Sequence, residues 1–207
     1  MGKIPTATNS ASISAKTGRN EGPTLPDLLI GELDVIFVGI NPSIYSAERG
    51  AYFARPGNRF WPCVSRSILS ARARRALAVA QLGPEHDRAL LRYGIGFTDL
   101  VKRATPKASN LAPWELAAGV EQLRAKIERY QPRVACFHGV TGYRYVHNVL
   151  VGKTVGVALG LQDVQLGATR MFLVPNPSGA NAHFTRDDQT RWYDVLAEYL
   201  AGTPRRP

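Results

Sequence analysis

Cysteine is scarce in this chain, and its scarcity excludes several metal centres. Cys63 and Cys136 are the only cysteines among 207 residues. Two thiolates are too few for an iron–sulfur cluster or for an all-cysteine zinc site. His86, His138 and His147 show no metal-binding spacing with one another or with carboxylates. We therefore expect neither a metal nor a cofactor.

Long apolar runs are also missing. No stretch approaches the ~20 apolar residues that a membrane span needs, and the first residues do not have the pattern of a signal peptide. Sparse cysteine is typical of a reducing compartment. We expect a cytoplasmic protein that is not secreted and has no membrane partner.

The usual phosphate-binding loops are absent as well. Neither GxGxxG nor GxxxxGK[ST] follows any apolar run of the sequence. A nucleotide-binding enzyme that cradles phosphates in such a loop therefore has no support from the sequence. No lysine stands out as a pocket nucleophile, which leaves a lyase activity without a candidate residue.

Positive charge is what the chain has in excess. There are 26 Lys and Arg residues against 16 Asp and Glu, a formal net charge of +10, and the pI is about 10.0. Such an excess suits a polyanion, and nucleic acid is the first candidate. A merely basic protein without such a partner accounts for the charge equally well.

The composition divides the chain into one domain and two tails. Residues 1–26 are rich in Ser, Thr, Ala, Gly and Pro and lack apolar periodicity, so we expect a disordered arm. Residues 27–201 are long enough for a single domain with a sizeable core. Residues 202–207 are expected to form a frayed tail.

Apolar runs alternate with helical patterns along this domain, which predicts an α/β fold of three layers around a mostly parallel sheet. The predicted strands are residues 35–38, 97–101, 134–137 and 171–174, and the predicted helices include 59–69, 113–130, 143–150 and 185–200. Residues 164–166 are expected to form a hairpin with 171–174 around Gly167-Ala168. We expect a long loop over residues 44–57.

Two of the predicted strands end in the same kind of sequence. Gly39-Ile40-Asn41-Pro42-Ser43 follows the first strand, and Pro175-Asn176-Pro177-Ser178-Gly179 follows the last. Each segment places an Asn before a Pro, followed by small residues that let a backbone approach a ligand. Ligands of open α/β sheets bind beyond the carboxyl ends of strands, so both segments are candidates for a site.

These segments and two others resemble the mismatch-specific uracil-DNA glycosylase and thymine-DNA glycosylase family of the uracil-DNA glycosylase superfamily. The likeness covers roughly residues 33–200. It is carried by residues 39–42 (GINP), 55–61 (RPGNRFW), 96–101 (GFTDLV) and 176–179 (NPSG). The resemblance implies a four-stranded parallel sheet with helices on both sides. It also implies hydrolysis of the N-glycosidic bond of a base flipped out of DNA.

The resemblance also implies roles for individual residues. Asn41 matches the family's catalytic Asn and would orient a water beneath the anomeric carbon. Phe53 matches the Phe that stacks on the base, while backbone groups around Ile40 and Phe53 would bond the pyrimidine. Asn176 stands where uracil glycosylases of stricter specificity carry a His. We therefore expect weaker stabilisation of the leaving base and slower turnover than theirs.

Two positions bear on the range of bases. Strict uracil enzymes carry a bulky Tyr where this chain has Ser43, so the pocket should also admit 5-substituted pyrimidines or exocyclic adducts. Tyr45 could partly close that opening. Asp99 departs from the Lys or Asn of comparable members. It would act on the base or the water, or else be a surface carboxylate that pairs with Lys102 or Arg103.

Further residues are expected to contact DNA. Residues 179–183 would form the wedge that fills the hole left by the flipped base, and its small side chains predict little dependence on the opposite guanine. His183 is equally well explained as a residue that leads into the last helix. The expected DNA contacts are Ser178, Gly179, Ala180, Asn181, His183, Arg59 and Lys102.

The sequence thus predicts a monofunctional uracil-DNA glycosylase of base-excision repair, free of metal. We expect a nucleoid-associated monomer whose partner is uracil-containing DNA, double-stranded or single-stranded. The alternative is a catalytically inert protein of the same fold that binds DNA damage, against which the presence of Asn41 argues.

Overall fold

The computed structural model describes residues 23–152 and 156–204. Its centre is a five-stranded sheet in the order β2-β1-β3-β5-β4. The strands are β1 (Val35–Gly39), β2 (Ile95–Asp99), β3 (Val134–His138), β4 (Gly160–Leu166) and β5 (Thr169–Val174). All pairs are parallel except β4 with β5. The predicted α/β architecture with a mostly parallel sheet is confirmed.

The number of strands differs from the four that the resemblance implied. The hairpin predicted around Gly167-Ala168 is present, but its first strand begins at Gly160 and pairs with β5 along the sheet edge. Alternate residues of β4 are exposed. An antiparallel edge strand can keep one face in water, so β4 lacks the continuous apolar run that marks the inner strands.

The alternation of side chains along the inner strands divides the core into two halves. In β1, Val35 and Phe37 belong to one apolar cluster, whereas Ile36 and Val38 belong to the other. All four side chains are at most 2% exposed. β1 is therefore covered on both faces, as its run of β-branched and aromatic residues predicts.

Helices cover the two faces in separate groups. The face that contains Phe37 packs against α2 (Phe60–Arg66) and α6 (Arg186–Gly202), and Ala73 of α3 (Ala71–Leu77) joins the same cluster. The opposite face is covered by α4 (Pro113–Tyr130) and α5 (Val140–Val151). The Thr185 hydroxyl accepts a hydrogen bond from the Asp188 N–H, the cap that the sequence predicts for α6.

Two predicted segments between β1 and β2 were wrong. Residues 44–57 contain a helix, α1 (Ile44–Arg49), because Ser43 Oγ accepts a hydrogen bond from the Ser46 N–H and Gly50 ends the helix in a left-handed conformation. The helix expected over 59–69 ends at Arg66. Ile68, inside the range predicted for this helix, lies beyond its end and is 55% exposed.

Two residues of the expected arm pack against the domain, so the boundary expected at residue 26 is too late. Leu25 is 2% exposed, and the Thr24 hydroxyl donates to the Lys102 carbonyl oxygen. Residues 1–22 of the expected arm and residues 205–207 of the expected tail lie outside the described residues. Within residues 23–152 and 156–204, no helix is both long and apolar enough to cross a membrane.

Candidate active-site cleft

A cleft of about 270 Å³ lies at the carboxyl ends of the parallel strands. Its wall is formed by the end of β1, the segment that precedes α2, the loop after β2 and the loop after β5. Its lining includes Gly39, Ile40, Asn41, Ser43, Ser46, Phe53, Arg55, Asp99, Thr105, Lys107, His138, Asn176 and Ser178. Asn41 and Phe53 thus line the same cleft. A larger cavity of about 410 Å³ includes Val134, at the amino end of β3, and contains none of these residues.

The side-chain amide of Asn41 is held through its nitrogen. Nδ2 donates to the Thr105 hydroxyl at 2.7 Å and to the Arg103 carbonyl at 3.0 Å. Oδ1 makes no hydrogen bond to any described residue. With both amide hydrogens engaged, Oδ1 is the group that Asn41 offers to a ligand, and it can only accept a hydrogen bond.

The ring of Phe53 is covered on one face by the core. It stacks on Phe60 with ring centres 4.2 Å apart and meets the His138 ring edge-on at 5.2 Å. The backbone at Phe53 has φ 54°, a left-handed conformation that costs a non-glycine residue roughly 1–2 kcal/mol. The protein holds this ring in the cleft wall despite the strain.

The other residues expected to bind the base divide into two groups. Ile40 lines the cleft, but its carbonyl already accepts from the Val101 N–H. Ser43 lines the cleft and its hydroxyl donates to Ser46 Oγ. Tyr45 is not among the lining residues, and its ring packs against the Arg49 guanidinium group at 5.2 Å. Ser46, which the sequence analysis did not select, lines the cleft in its place.

Asp99 is buried at the end of β2 and also lines the cleft. Lys102 Nζ lies 3.2 Å from Oδ2, whereas Oδ1 faces the Cα of Gly39, where even a methyl group would collide with it. Burial raises the pKa of the Asp99 carboxyl above 3.8, and the Lys102 cation only partly offsets that rise. The sequence left open whether Asp99 lies in the site or pairs with Lys102. In the structure it does both, because it pairs with Lys102 and also lines the cleft.

Lys102 belongs to a group of charged side chains behind the cleft. Its Nζ lies 2.9 Å from Asp27 Oδ1 and donates to the Tyr52 hydroxyl at 3.2 Å, and Lys126 approaches Asp27 Oδ2 at 2.8 Å. Burial of Asp27 is outweighed by these two lysines, so its pKa is lowered. The Lys102 ammonium group is engaged inside the protein and does not face the cleft as a DNA contact would.

The loop after β5 is shaped by contacts with the segment before α2. Gly179 approaches the Gly57 carbonyl so closely that a Cβ would lie 2.7 Å from that oxygen. Arg59 Nη1 donates to the Phe184 carbonyl at 2.6 Å, and Nη2 donates to the Gly179 carbonyl at 3.3 Å. Arg59, predicted to contact DNA, thus fastens the expected wedge loop to the protein.

Within this loop, Asn176 and Ser178 line the cleft. Asn176 Oδ1 accepts a hydrogen bond from the Ser178 N–H at 2.9 Å, and its Nδ2 group makes no hydrogen bond to a described residue. Ala180 and His183 are exposed and Asn181 is half-buried, all outside the cleft lining. Asn176 therefore offers a donor, complementary to the acceptor that Asn41 offers.

Sequence reasoning missed two cations at the cleft. Arg55 and Lys107 line it from different walls and are exposed, and neither side chain makes a hydrogen bond or an ion pair with a described residue. Arg55 lies within one of the motifs that carried the resemblance, which was the available signal. No local feature distinguished Lys107 from its neighbours.

His138 was assigned no function and lies in the cleft wall at the end of β3. Its Nε2 is 3.0 Å from the Tyr193 hydroxyl, and burial lowers its pKa to about 3. The imidazole is therefore neutral around pH 7 and adds no charge. Within the described parts of the chain, no three or more His, Cys, Asp or Glu side chains are grouped so that they could hold a metal ion.

Fold and cleft together define an α/β protein with a polar, aromatic-walled cleft at the carboxyl edge of a mostly parallel sheet. Residues 26–200 match the family described as the uracil DNA glycosylase superfamily. Because this match covers most of the chain, the chain belongs to this superfamily.

A solved structure supports the fold independently. The chain is similar to the solution NMR structure of a candidate uracil DNA glycosylase from Methanosarcina acetivorans, with a TM-score of 0.53 and 21% sequence identity. The match covers 87% of this chain and 98% of the other. At this identity the likeness establishes the fold.

The approach of Asp99 to Gly39 can be tested by adding a methyl group. We expect Gly39→Ala to lower the free energy of unfolding by roughly 1–3 kcal/mol, because the buried Asp99 carboxylate must move away from Lys102. Gly31→Ala is the matched control, since no atom lies within 4 Å of the added Cβ. Urea unfolding measures both, and equal stability of the two variants would contradict the close approach.

Proposed function

We propose that this protein is a DNA glycosylase of the mismatch-specific and thymine-DNA glycosylase type. It hydrolyses the N-glycosidic bond of uracil in DNA without a metal or covalent intermediate. The observation that carries the proposal is the shared cleft: an acceptor oxygen of Asn41 and an aromatic face of Phe53 line one space beyond β1. This is the pair of groups that water attack on the sugar of a flipped pyrimidine requires.

Asn41 acts by placing a water molecule. An amide is too weak a base to remove a proton, but a water oriented by Oδ1 can attack an anomeric carbon that already has oxocarbenium character. Because Thr105 and the Arg103 carbonyl hold Nδ2, the amide has little freedom to turn its nitrogen toward the water. Thr105 thereby contributes to catalysis by positioning Asn41.

Asp99 supplies the negative charge next to this water. Its Oδ1 faces Gly39, directly before the Ile40-Asn41 segment, so the carboxylate lies beside the start of the catalytic segment. A carboxylate with a raised pKa can accept a proton from the attacking water and stabilise the positive charge on the sugar. Asp99 therefore acts as a base or electrostatic stabiliser, and Lys102 keeps it ionised.

Asn176 helps the base to leave. Uracil departs as an anion whose charge is stabilised by donors that are already in place. The Nδ2 group of Asn176 is such a donor, because Oδ1 is committed to the Ser178 N–H. A neutral amide donates more weakly than a charged group, so turnover is slow compared with enzymes that use a His at this place.

The pocket admits more than uracil. Ser43 and Ser46 present small side chains to the cleft, and Tyr45 packs on Arg49 away from it. No bulky group of this segment thus excludes a substituent at C5 of the pyrimidine. We infer that thymine, 5-hydroxymethyluracil or ethenocytosine enter the same site, and that the protein acts as a monomer with a single domain.

Arg55 and Lys107 hold the DNA backbone. Both are exposed cations at the cleft without a side-chain partner among residues 23–152 and 156–204, whereas Arg59 and Lys102 have internal partners. Lys and Arg side chains that neutralise phosphates supply most of the sequence-independent affinity for DNA.

The first prediction tests catalysis against the alternative of an inert damage-binding protein. Wild-type protein should create alkali-labile sites in uracil-containing oligonucleotides. Asn41→Ala should lower the single-turnover rate on the order of 100-fold, because the water loses its orientation, and Asp99→Asn by roughly 100-fold or more. The assay should include U, T and adducted bases, single-stranded and opposite G or A. Wild-type binding without any cleavage would favour the inert protein.

The second prediction concerns pH. Because burial raises the Asp99 pKa above 3.8, the rate should increase with pH as this carboxyl loses its proton. Lys102→Met removes a cation that lowers this pKa, so the acidic limb should move to higher pH. Asp27, Lys126 and Tyr52, the other polar groups around Asp99, remain unchanged. A pH–rate profile of Lys102→Met that overlays the wild-type profile would remove Asp99 from the mechanism.

The third prediction concerns the phosphate contacts. Arg55→Gln and Lys107→Gln should each reduce the slope of log Kobs against log salt by about 0.9 on duplex DNA, since each removes one phosphate contact. Arg92→Gln is the control, as it removes an exposed cation that precedes the amino end of β2. Undamaged duplex titrated at several salt concentrations gives the slopes, and a change in the Arg92 variant alone would refute the assignment.

A further inference from the structure

Trp114 is exposed to an unusual degree. Its side chain is 71% exposed, more than any other large apolar residue in the described parts of the chain. Trp61, by contrast, is 4% exposed in the core. Burying a tryptophan side chain is strongly favourable. A tryptophan that a helix leaves exposed to water is therefore a candidate for contact with a ligand.

Trp114 lies at the carboxyl edge of the sheet, where the cleft also lies. It is the second residue of α4, and the next residue, Glu115, accepts hydrogen bonds from Arg103 Nε and Nη2, both at 2.7 Å. The carbonyl of Arg103 is the one that accepts from Asn41 Nδ2. The first turn of α4 is therefore tied to the same loop that holds the catalytic amide, at the carboxyl edge of the sheet.

The surroundings of Trp114 contain one unpaired cation and little other apolar surface. Among residues 102–115, Lys107 has no side-chain partner in the described parts of the chain, whereas Lys102 is paired with Asp27 and Asp99, and Arg103 with Glu115. One helical turn further on, the exposed neighbours are Ala117 and Ala118, which add little area. Interfaces with other proteins use larger contiguous apolar patches. A lone exposed aromatic ring on the same segment as an unpaired cation matches single-stranded nucleic acid, where bases stack on aromatic side chains and cations follow the backbone.

We propose that Trp114 is a stacking platform for an unpaired base of the DNA strand that occupies the cleft, with Lys107 on the adjoining phosphate. This inference rests on the proposed function for the identity of the strand in the cleft. Only an unpaired base exposes its face, so the contact favours single-stranded substrates over duplex. The expected wedge loop also favours single-stranded substrates, since Ala180 and Ala182 are too small to fill a hole in a duplex.

The experiment measures binding without catalysis. An undamaged oligothymidylate labelled with a fluorophore is titrated with wild type, Trp114→Ala and Trp114→Phe, and the same variants are titrated on undamaged duplex. We expect Trp114→Ala to raise the Kd for the single strand by about 5- to 150-fold, the range measured for loss of one stacked base. Trp114→Phe should keep most of the affinity, and duplex binding should change less than threefold.

Ile68→Ala is the matched control, because Ile68 is also an exposed apolar side chain, at 55%, and lies away from the cleft lining. It should leave both affinities unchanged. Melting temperatures check that the variants are folded. We expect them to fold, because both substituted side chains are exposed. Equal Kd values for wild type and Trp114→Ala overturn the proposal, as does an equal loss on duplex. Self-association that Trp114→Ala abolishes would also overturn it and assign the surface to a second copy.

These outcomes are separate from those of the proposed function. If single-strand affinity depends on Trp114 but the protein cleaves no base, the glycosylase proposal is wrong and the stacking proposal is supported. Cleavage of uracil with a Trp114→Ala variant that binds single strands normally would do the reverse.

Discussion

The place of β1 between β2 and β3 is the constraint on which the cleft depends. Parallel pairing aligns Gly39 with Asp99 across one side of β1 and Val38 with Phe137 across the other. All three strands therefore end at one edge of the sheet, and their last residues meet there. β5 pairs with β3 so that Val174 lies opposite His138, which brings Asn176 to the same edge. A parallel arrangement is what lets residues far apart in the chain share one wall.

The loops at this edge hold one another in place through backbone groups more than through side-chain pairs. Arg103 binds the first turn of α4 with its guanidinium group and the Asn41 amide with its carbonyl. Arg59 does the same for the loop after β5 by donating to the Phe184 and Gly179 carbonyls. Arginine suits this task because its five donors have a fixed geometry. The Asn41 amide and the loop after β5 are thus held in place by contacts within the protein.

Charge is distributed unevenly between the inside and the mouth of the cleft. Behind it, Asp27 and Asp99 are matched by Lys102 and Lys126, so that buried carboxylates have nearby cations. At the mouth, Arg55 and Lys107 have no described partner. Buried charges require partners because of the cost of desolvation, whereas exposed cations are free to meet phosphates. This division explains how one chain can carry a net charge of +10 and still bury ionised groups.

The sequence by itself determined the architecture and the two ends of the cleft. The continuous apolar run of Val35 to Val38, the helical pattern of residues 113–130 and the Thr185 cap are local patterns, and each could be recognised because neighbouring residues generate it. Asn41 and Asn176 were identifiable because both stand before Pro at a strand end.

Tertiary structure alone decided which way the Asn41 amide faces, that Asp99 is buried with Lys102, and that Arg59 and Lys102 have internal partners while Arg55 and Lys107 do not. It also decided that the ring of Tyr45 lies away from the cleft. The partners that fix the Asn41 and Arg59 side chains lie 62 to 125 residues away along the sequence. The free energy of such contacts depends on burial and distance in the folded chain, and a residue's own neighbours in the sequence do not encode either quantity.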